Sequence, residues 1–219
     1  MALPPDPTLD EIRAALAPGI AANAGFDGWS DAAIILAAQA EGLDPDVARL
    51  AFPGGAIDMI DAWFAAIDAA MLAALPPEKL ATMKIREKIT ALVEARLALL
   101  APQREALRRA LATLAMPANL VRAAKLGWRA ADVMWHAAGD SATDYNHYTK
   151  RTMLAGVYGA TITVLLDDES AGHADTSAFL ARRIEGIMRF EKTKAQLLGR
   201  TTHRPSLSRF IGRLRYPVS

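Results

Sequence analysis

The chain has 219 residues and is 52% hydrophobic, enough to bury the core of one domain carrying at most a small appendage. It has no Cys, which excludes disulfides, thiol nucleophiles and thiolate zinc sites. The net charge of +1 hides an asymmetry: residues 1–75 carry eleven acids and two bases, a net of −9, whereas seven bases and no acid follow Glu191.

Ala and Leu abound, no segment alternates like a strand, and Pro and Gly fall at helix-punctuating intervals, so the expected class is all-α. The spacing predicts helices over 8–17, 30–41, 44–51, 56–75, 77–100, 103–114, 118–138, 144–166, 174–199 and 206–215. Ser30 is placed to cap the second, and Gly42 follows it where a left-handed residue is wanted. Pro77, Pro102 and Pro117 divide the middle of the chain. In the fourth helix Ile57, Ile60, Phe64, Ile67 and Met71 form one apolar stripe, with Asp58, Asp61 and Asp68 on another side. No apolar run reaches the roughly 18 residues that span a bilayer. The start Met1-Ala2-Leu3-Pro4-Pro5-Asp6 lacks a basic and apolar leader. A soluble, cytoplasmic protein is expected.

Residues 25–55 read Gly-Phe-Asp-Gly-Trp-Ser, a helix, Gly42-Leu43, a short helix, then Phe52-Pro53-Gly54-Gly55. This resembles the helix-turn-helix module of TetR-type regulators. The segment in the place of the DNA-reading helix, Asp44-Pro45-Asp46-Val47-Ala48-Arg49-Leu50, offers two acids and one base. Base edges and phosphates call for Arg, Lys, Asn or Gln, so no nucleic-acid partner is expected.

A search for catalysis finds no phosphate-binding glycine loop, and no Glu is followed three residues later by His, as bundle di-iron sites require. The nearest approach to a metal cluster, His136, Asp140, Asp144 and His147, straddles Gly139 and an interhelical turn. The expectation is a non-enzyme with no metal and no cofactor.

Residues 140–168 run from a cap-rich start (Ser141, Thr143, Asp144) through Tyr145, His147, Tyr148, Thr149 and the pair Lys150-Arg151 to the small-residue stretch Ala155–Ala160 and Asp167-Asp168. The order resembles the coenzyme Q (ubiquinone) biosynthesis accessory family, which shows Ser-Thr-Asp, two intervening positions, Trp-Tyr-Thr, a basic pair and an Ala/Leu-rich helix. Gly25–Trp29, Pro117-Ala118-Asn119 with Leu126-Gly127-Trp128, and Phe179-Leu180 with Arg182-Arg183-Ile184 extend the likeness. The family's usual Trp is His147 here.

The resemblance implies a TetR-like fold. It has a helix-turn-helix-like module over 1–55, a helical lipid-binding and dimerisation domain over 56–199, and a linker with a basic amphipathic helix over 200–219. It also implies a homodimer at the inner membrane that binds an isoprenoid lipid or quinone intermediate and assists the di-iron demethoxyubiquinone hydroxylase. Carried over residue by residue, Asp144, His147, Tyr148, Lys150 and Arg151 are partner-binding candidates. Trp128, Met134, Trp135, Met153 and Tyr158 are candidate walls of the lipid pocket; Met and aromatic residues at helical spacing also serve as plain core. The glycines at 156 and 159 suggest close helix packing or room for a ligand.

At the C-terminus Leu207, Phe210, Ile211 and Leu214 recur at i, i+3, i+4 and i+7, flanked by Arg209, Arg213 and Arg215. That pattern suits a helix lying in a bilayer interface, or one docked on its own domain or a dimer mate. The alternative function for the whole chain is a TetR-like transcriptional regulator that binds a small hydrophobic effector.

Overall fold

A computed structural model describes residues 4, 6–140 and 145–201 of the chain, with the backbone alone at 145, 146, 188 and 190–201. The expected helix 206–215 and the candidates Asp144, Leu207, Arg209, Phe210, Ile211, Arg213, Leu214 and Arg215 lie outside the described residues. The described residues form helices and no strand: α1 (Leu9–Asp27), α2 (Asp31–Ala40), α3 (Pro45–Leu50), α4 (Ala56–Ala74), α5 (Pro77–Ala81), α6 (Ile85–Leu100), α7 (Arg104–Leu114), α8 (Leu120–Ala137), α9 (Tyr145–Asp167) and α10 (Ala174–Thr201).

Three local outcomes differ from the sequence reading. First, α1 continues ten residues past the expected stop, through Pro18. An interior proline costs about 3 kcal/mol. Here Pro18 is exposed, and the buried series Ile12, Leu16, Ile20 and Ala24 runs unbroken on both sides of it, so packing outweighs the lost hydrogen bond.

Second, the expected helix 77–100 is broken between Ala81 and Ile85. The Thr82 hydroxyl donates back to the Lys79 carbonyl at 3.0 Å, and the Glu87 carboxylate accepts the Lys84 N–H at 2.9 Å. Both bonds compete with continuous helix. Third, Ser30 makes no side-chain cap; its hydroxyl donates to the Asp27 carbonyl at 3.0 Å instead. Gly42 does adopt φ +71°, and Leu43 N–H reaches the Ala38 carbonyl at 2.8 Å, closing α2 as expected.

Helix α1 packs on α2, α4 and α7; α4 passes between α6 and α8; α8, α9 and α10 stack in chain order. Trp29 donates its indole N–H to the Ala106 carbonyl at 3.1 Å, tying the front module to α7. Arg122 meets Asp58 at 2.6 Å, so α4 and α8 start together beside that module. The opposite end gathers α5, the start of α6, the close of α8 and the start of α9, where Lys88 Nζ donates to the Ala138 carbonyl at 3.3 Å.

Candidate functional site

The aromatic–basic segment opens α9, and its two halves have opposite fates. Arg151 is fully buried. Its Nε donates to Asp132 of α8 at 2.5 Å, and one terminal nitrogen donates to Asp140 at 3.1 Å and to the His147 carbonyl at 3.3 Å. Lys150 meets Asp140 at 2.8 Å and stands over the Trp135 ring at 5.3 Å, while the Trp135 indole N–H donates to the Lys150 carbonyl at 3.1 Å. Burial pushes the Asp140 carboxyl up, but hydrogen bonds and charge from Lys150 and Arg151 outweigh it and hold it below its ordinary value. The basic pair therefore fastens α9 to α8.

What faces outward is aromatic. Tyr148 is 60% exposed, and the rings of Trp128, His147 and Tyr148 form a triangle with centroids 5.1–6.2 Å apart. Such pairs add about 0.5–1.5 kcal/mol each. Trp128, assigned from sequence to a pocket wall, joins His147 and Tyr148 here. Of the carboxylates that seat the basic pair, the sequence reading passes over Asp132 and names Asp140 only in the unassigned metal cluster. Their signal was available in hindsight: two acids eight residues apart on and just after α8, facing two adjacent bases.

Met134, Trp135 and Tyr158 are core residues, and Met153 is half-buried. The Tyr158 hydroxyl accepts from Arg96 Nε at 3.0 Å, and Arg96, 1% exposed, also pairs with Asp68. Arg129 of α8 adds ion pairs to Asp61 and, at 3.3 Å, to Asp68. The middle of α4, α6, α8 and α9 is thus crossed by a polar network. Three grooves among the described residues are lined by none of the five expected pocket residues.

The largest of these, about 650 Å³, lies between α1, α4 and α8. It is lined by Ala14, Ala62, Ala65, Ala66 and Ala69 and by the charged Asp10, Arg13, Asp58, Asp61 and Arg122. The near-metal cluster does not assemble where it is described. His136 Nδ1 lies 3.2 Å from Asp132, and Asp140 is taken by Lys150 and Arg151.

Asp167-Asp168 had no rationale in the sequence. Hydrogen bonds from the Ser170 and Thr176 hydroxyls hold the Asp168 carboxyl well below the usual carboxylate range, and both backbone N–H groups add to it at 2.8 Å. Arg104 donates to the Asp168 carbonyl at 2.7 Å, and Arg108 to the Leu166 carbonyl and the Asp167 carboxylate at 3.0 Å. Two arginines cover the negative end of α9 while Asp168 caps the turn into α10.

On the front module, α3 exposes Asp46, Val47 and Leu50, and Arg49 is tied to Asp46 at 2.5 Å and Asp31 at 3.6 Å. On α9, Thr152, Gly156, Gly159, Ala160 and Thr163 are exposed, and a methyl group added at either glycine meets nothing within 4 Å. Among the described residues no neighbour packs closely on those glycines.

The COQ9 family model matches residues 120–191, the span holding α8, α9 and the aromatic triangle. The chain is 35% identical over 177 residues to the mitochondrial ubiquinone biosynthesis protein COQ9 of Rattus norvegicus, covering 78% of this chain and 56% of that one. Against the same protein of Bos taurus it is 34% identical, covering 78% and 55%. Against that of Homo sapiens it is 41% identical over 105 residues, 48% of this chain and 33% of the relative. The chain thus spans about half the length, or less, of these curated relatives. Among solved structures, a TetR transcriptional regulator from Nitrosomonas europaea superposes with a TM-score of 0.63 at 23% identity, covering 80% of this chain and 96% of that one. The chain is similar to the COQ9 ubiquinone biosynthesis proteins over about half their length, and it is built on an all-α, TetR-like fold.

Proposed function

We propose that the chain is a non-catalytic accessory protein of ubiquinone biosynthesis that presents an isoprenoid quinone intermediate to the demethoxyubiquinone hydroxylase. The observation that carries this reading is the ring cluster of exposed Tyr148 with half-buried Trp128 and His147, inside the matched span and supported by the buried Arg151. Aromatic residues over a stiff support are the usual anchors of protein interfaces. The partner meets Tyr148 and His147 directly, with Asp144 beside them in sequence. Lys150 and Arg151 act from beneath.

The lipid chain takes the alanine-lined groove between α1, α4 and α8. Its volume of about 650 Å³ falls within the range of small-ligand sites, and its alanines and charged side chains suit a greasy tail with a polar head. A second copy packs on the open small-residue face of α9. The basic amphipathic segment 206–215 rests on the inner-membrane surface. The regulator alternative is opposed by the acidic, apolar outer face of α3.

The test is to purify the full chain, identify co-extracted lipid by mass spectrometry, and pass the protein over immobilised hydroxylase. A quinone or isoprenoid in the extract, and retention lost in Tyr148→Ala, are expected. Lipid-free protein with no retention overturns the proposal, and a specific gel shift with duplex DNA at low salt would revive the regulator.

A further inference from the structure

Charge is sorted along the sequence. The front module and α4 lie in the stretch of net charge −9, and everything after residue 75 sums to +10. The end opposite the front module carries the α5–α6 corner. There Lys79, Lys84 and Arg86 are exposed, together with two large apolar side chains, Leu72 at 41% and Ile85 at 44% exposure. The acids of the corner are Glu78 and Glu87, both exposed, the latter accepting the Lys84 N–H, with Glu94 and Glu185 nearer α10.

Helix α10 passes the same corner: Ala181 shares a groove with Met83, Arg86 and Glu87, and the Arg86 charge is felt by Glu185. The chain then runs on from that end of the bundle into the stretch with seven bases and no acid.

We propose that the α5–α6 corner is a second membrane contact. Lys79, Lys84 and Arg86 would meet anionic lipid headgroups, Ile85 would enter the interface, and the acidic front module would be turned to the water. The proposal rests on the peripheral-membrane part of the function above, and it adds orientation, which a single contact does not fix. Lys and Arg near a bilayer are drawn to anionic lipid, exposed apolar side chains gain from insertion, and acids at the far end are repelled. The occupant follows from charge: net positive with interspersed apolar residues, continuous with the basic C-terminal segment.

Four proteins test it by flotation with vesicles of phosphatidylcholine alone or containing phosphatidylglycerol: wild type, the corner variant K79E/K84E, its control K79R/K84R, and the tail variant F210S/I211S/R213E. Each base is worth roughly a factor of five in affinity, and reversal adds repulsion to the loss of two bases, so the corner variant is expected to bind anionic vesicles at least about 25-fold more weakly at low salt. K79R/K84R should restore wild-type binding, and the tail variant should keep a salt-sensitive remainder. Circular dichroism checks that the exposed substitutions leave the helices intact. If the corner variant floats like wild type while the tail variant has lost all binding, the membrane reading stands and the corner is refuted. If wild type binds neither vesicle, both fall together.

Discussion

Arg151 of α9 donates its Nε proton to Asp132 of α8 from a position with no solvent exposure, three residues from the exposed Tyr148. One short segment therefore contains a buried fastener and a surface anchor, and the two can be separated by mutation. Removing one partner of a buried ion pair costs about 3–5 kcal/mol. Asp132 keeps 33% of its side chain exposed, which argues for the low end. Arg151→Met is expected to lower unfolding free energy by about 3 kcal/mol in a urea titration. Tyr148→Ala forfeits its ring contacts to Trp128 and His147 and should cost about 1 kcal/mol, well short of Arg151→Met, while losing hydroxylase capture. Equal destabilisation by the two would contradict this division of labour.

The ion pair between Arg96 and Asp68 gives a second prediction. Both residues are buried, and the Tyr158 hydroxyl is a further partner of the guanidinium. Asp68→Ala leaves a buried cation with only a phenol and should cost about 3–5 kcal/mol. Tyr158→Phe should cost about 1 kcal/mol, the net worth of one hydrogen bond. The double variant D68L/R96M replaces the pair by apolar volume and should recover most of the loss. Thermal unfolding of the three side by side checks the order, and a double variant worse than D68A would show that the network supplies more than charge balance.

Much of this architecture was legible in the sequence, because helix periodicity, prolines and Gly42 are local signals. The all-α class, the helix-turn-helix-like front and the α9 start followed from them. What was not legible is pairing across helices. Lys150 and Arg151 read as surface bases because nothing in a linear pattern reveals that Asp132 and Asp140 face them. Trp128, Met134, Trp135 and Tyr158 were grouped by residue type, yet the fold sends Trp128 to the surface triangle and the others inward. The groove that does form is lined by Ala62, Ala65, Ala66 and Ala69, whose small side chains give no distinctive signal on an Ala-rich helix. Pro18 misled for the converse reason: a strong local signal was overridden by burial on the opposite face of α1.

The low carboxyl pKa of Asp168 makes a pH prediction. The unfolded value is near 3.9, and the folded value lies below it. A group with a depressed folded pKa stabilises above its unfolded pKa, and that contribution is lost as pH falls through the folded value. Asp168→Asn should therefore be less stable than wild type at pH 7, and the gap should narrow as the pH is lowered below about 4. Melting temperatures at pH 7, 4 and 2.5 measure this. A gap that stays constant across the series would mean that geometry alone, and not the charge, matters at the turn between α9 and α10.

The outward face of α9 separates helix propensity from assembly. Gly156 and Gly159 are exposed, and a methyl group at either touches nothing among the described residues. In a lone chain, replacing each glycine by alanine removes a helix penalty of about 1 kcal/mol and clashes with nothing, so G156A/G159A should raise stability. If a second copy packs there, bulk is the discriminating variable. G156L/G159L should keep the full helical circular dichroism signal yet sediment as a monomer, and its melting temperature should lose the concentration dependence that a dimer shows. A leucine variant that still sediments as a dimer would place the interface elsewhere on the molecule and leave these two glycines without a packing reason.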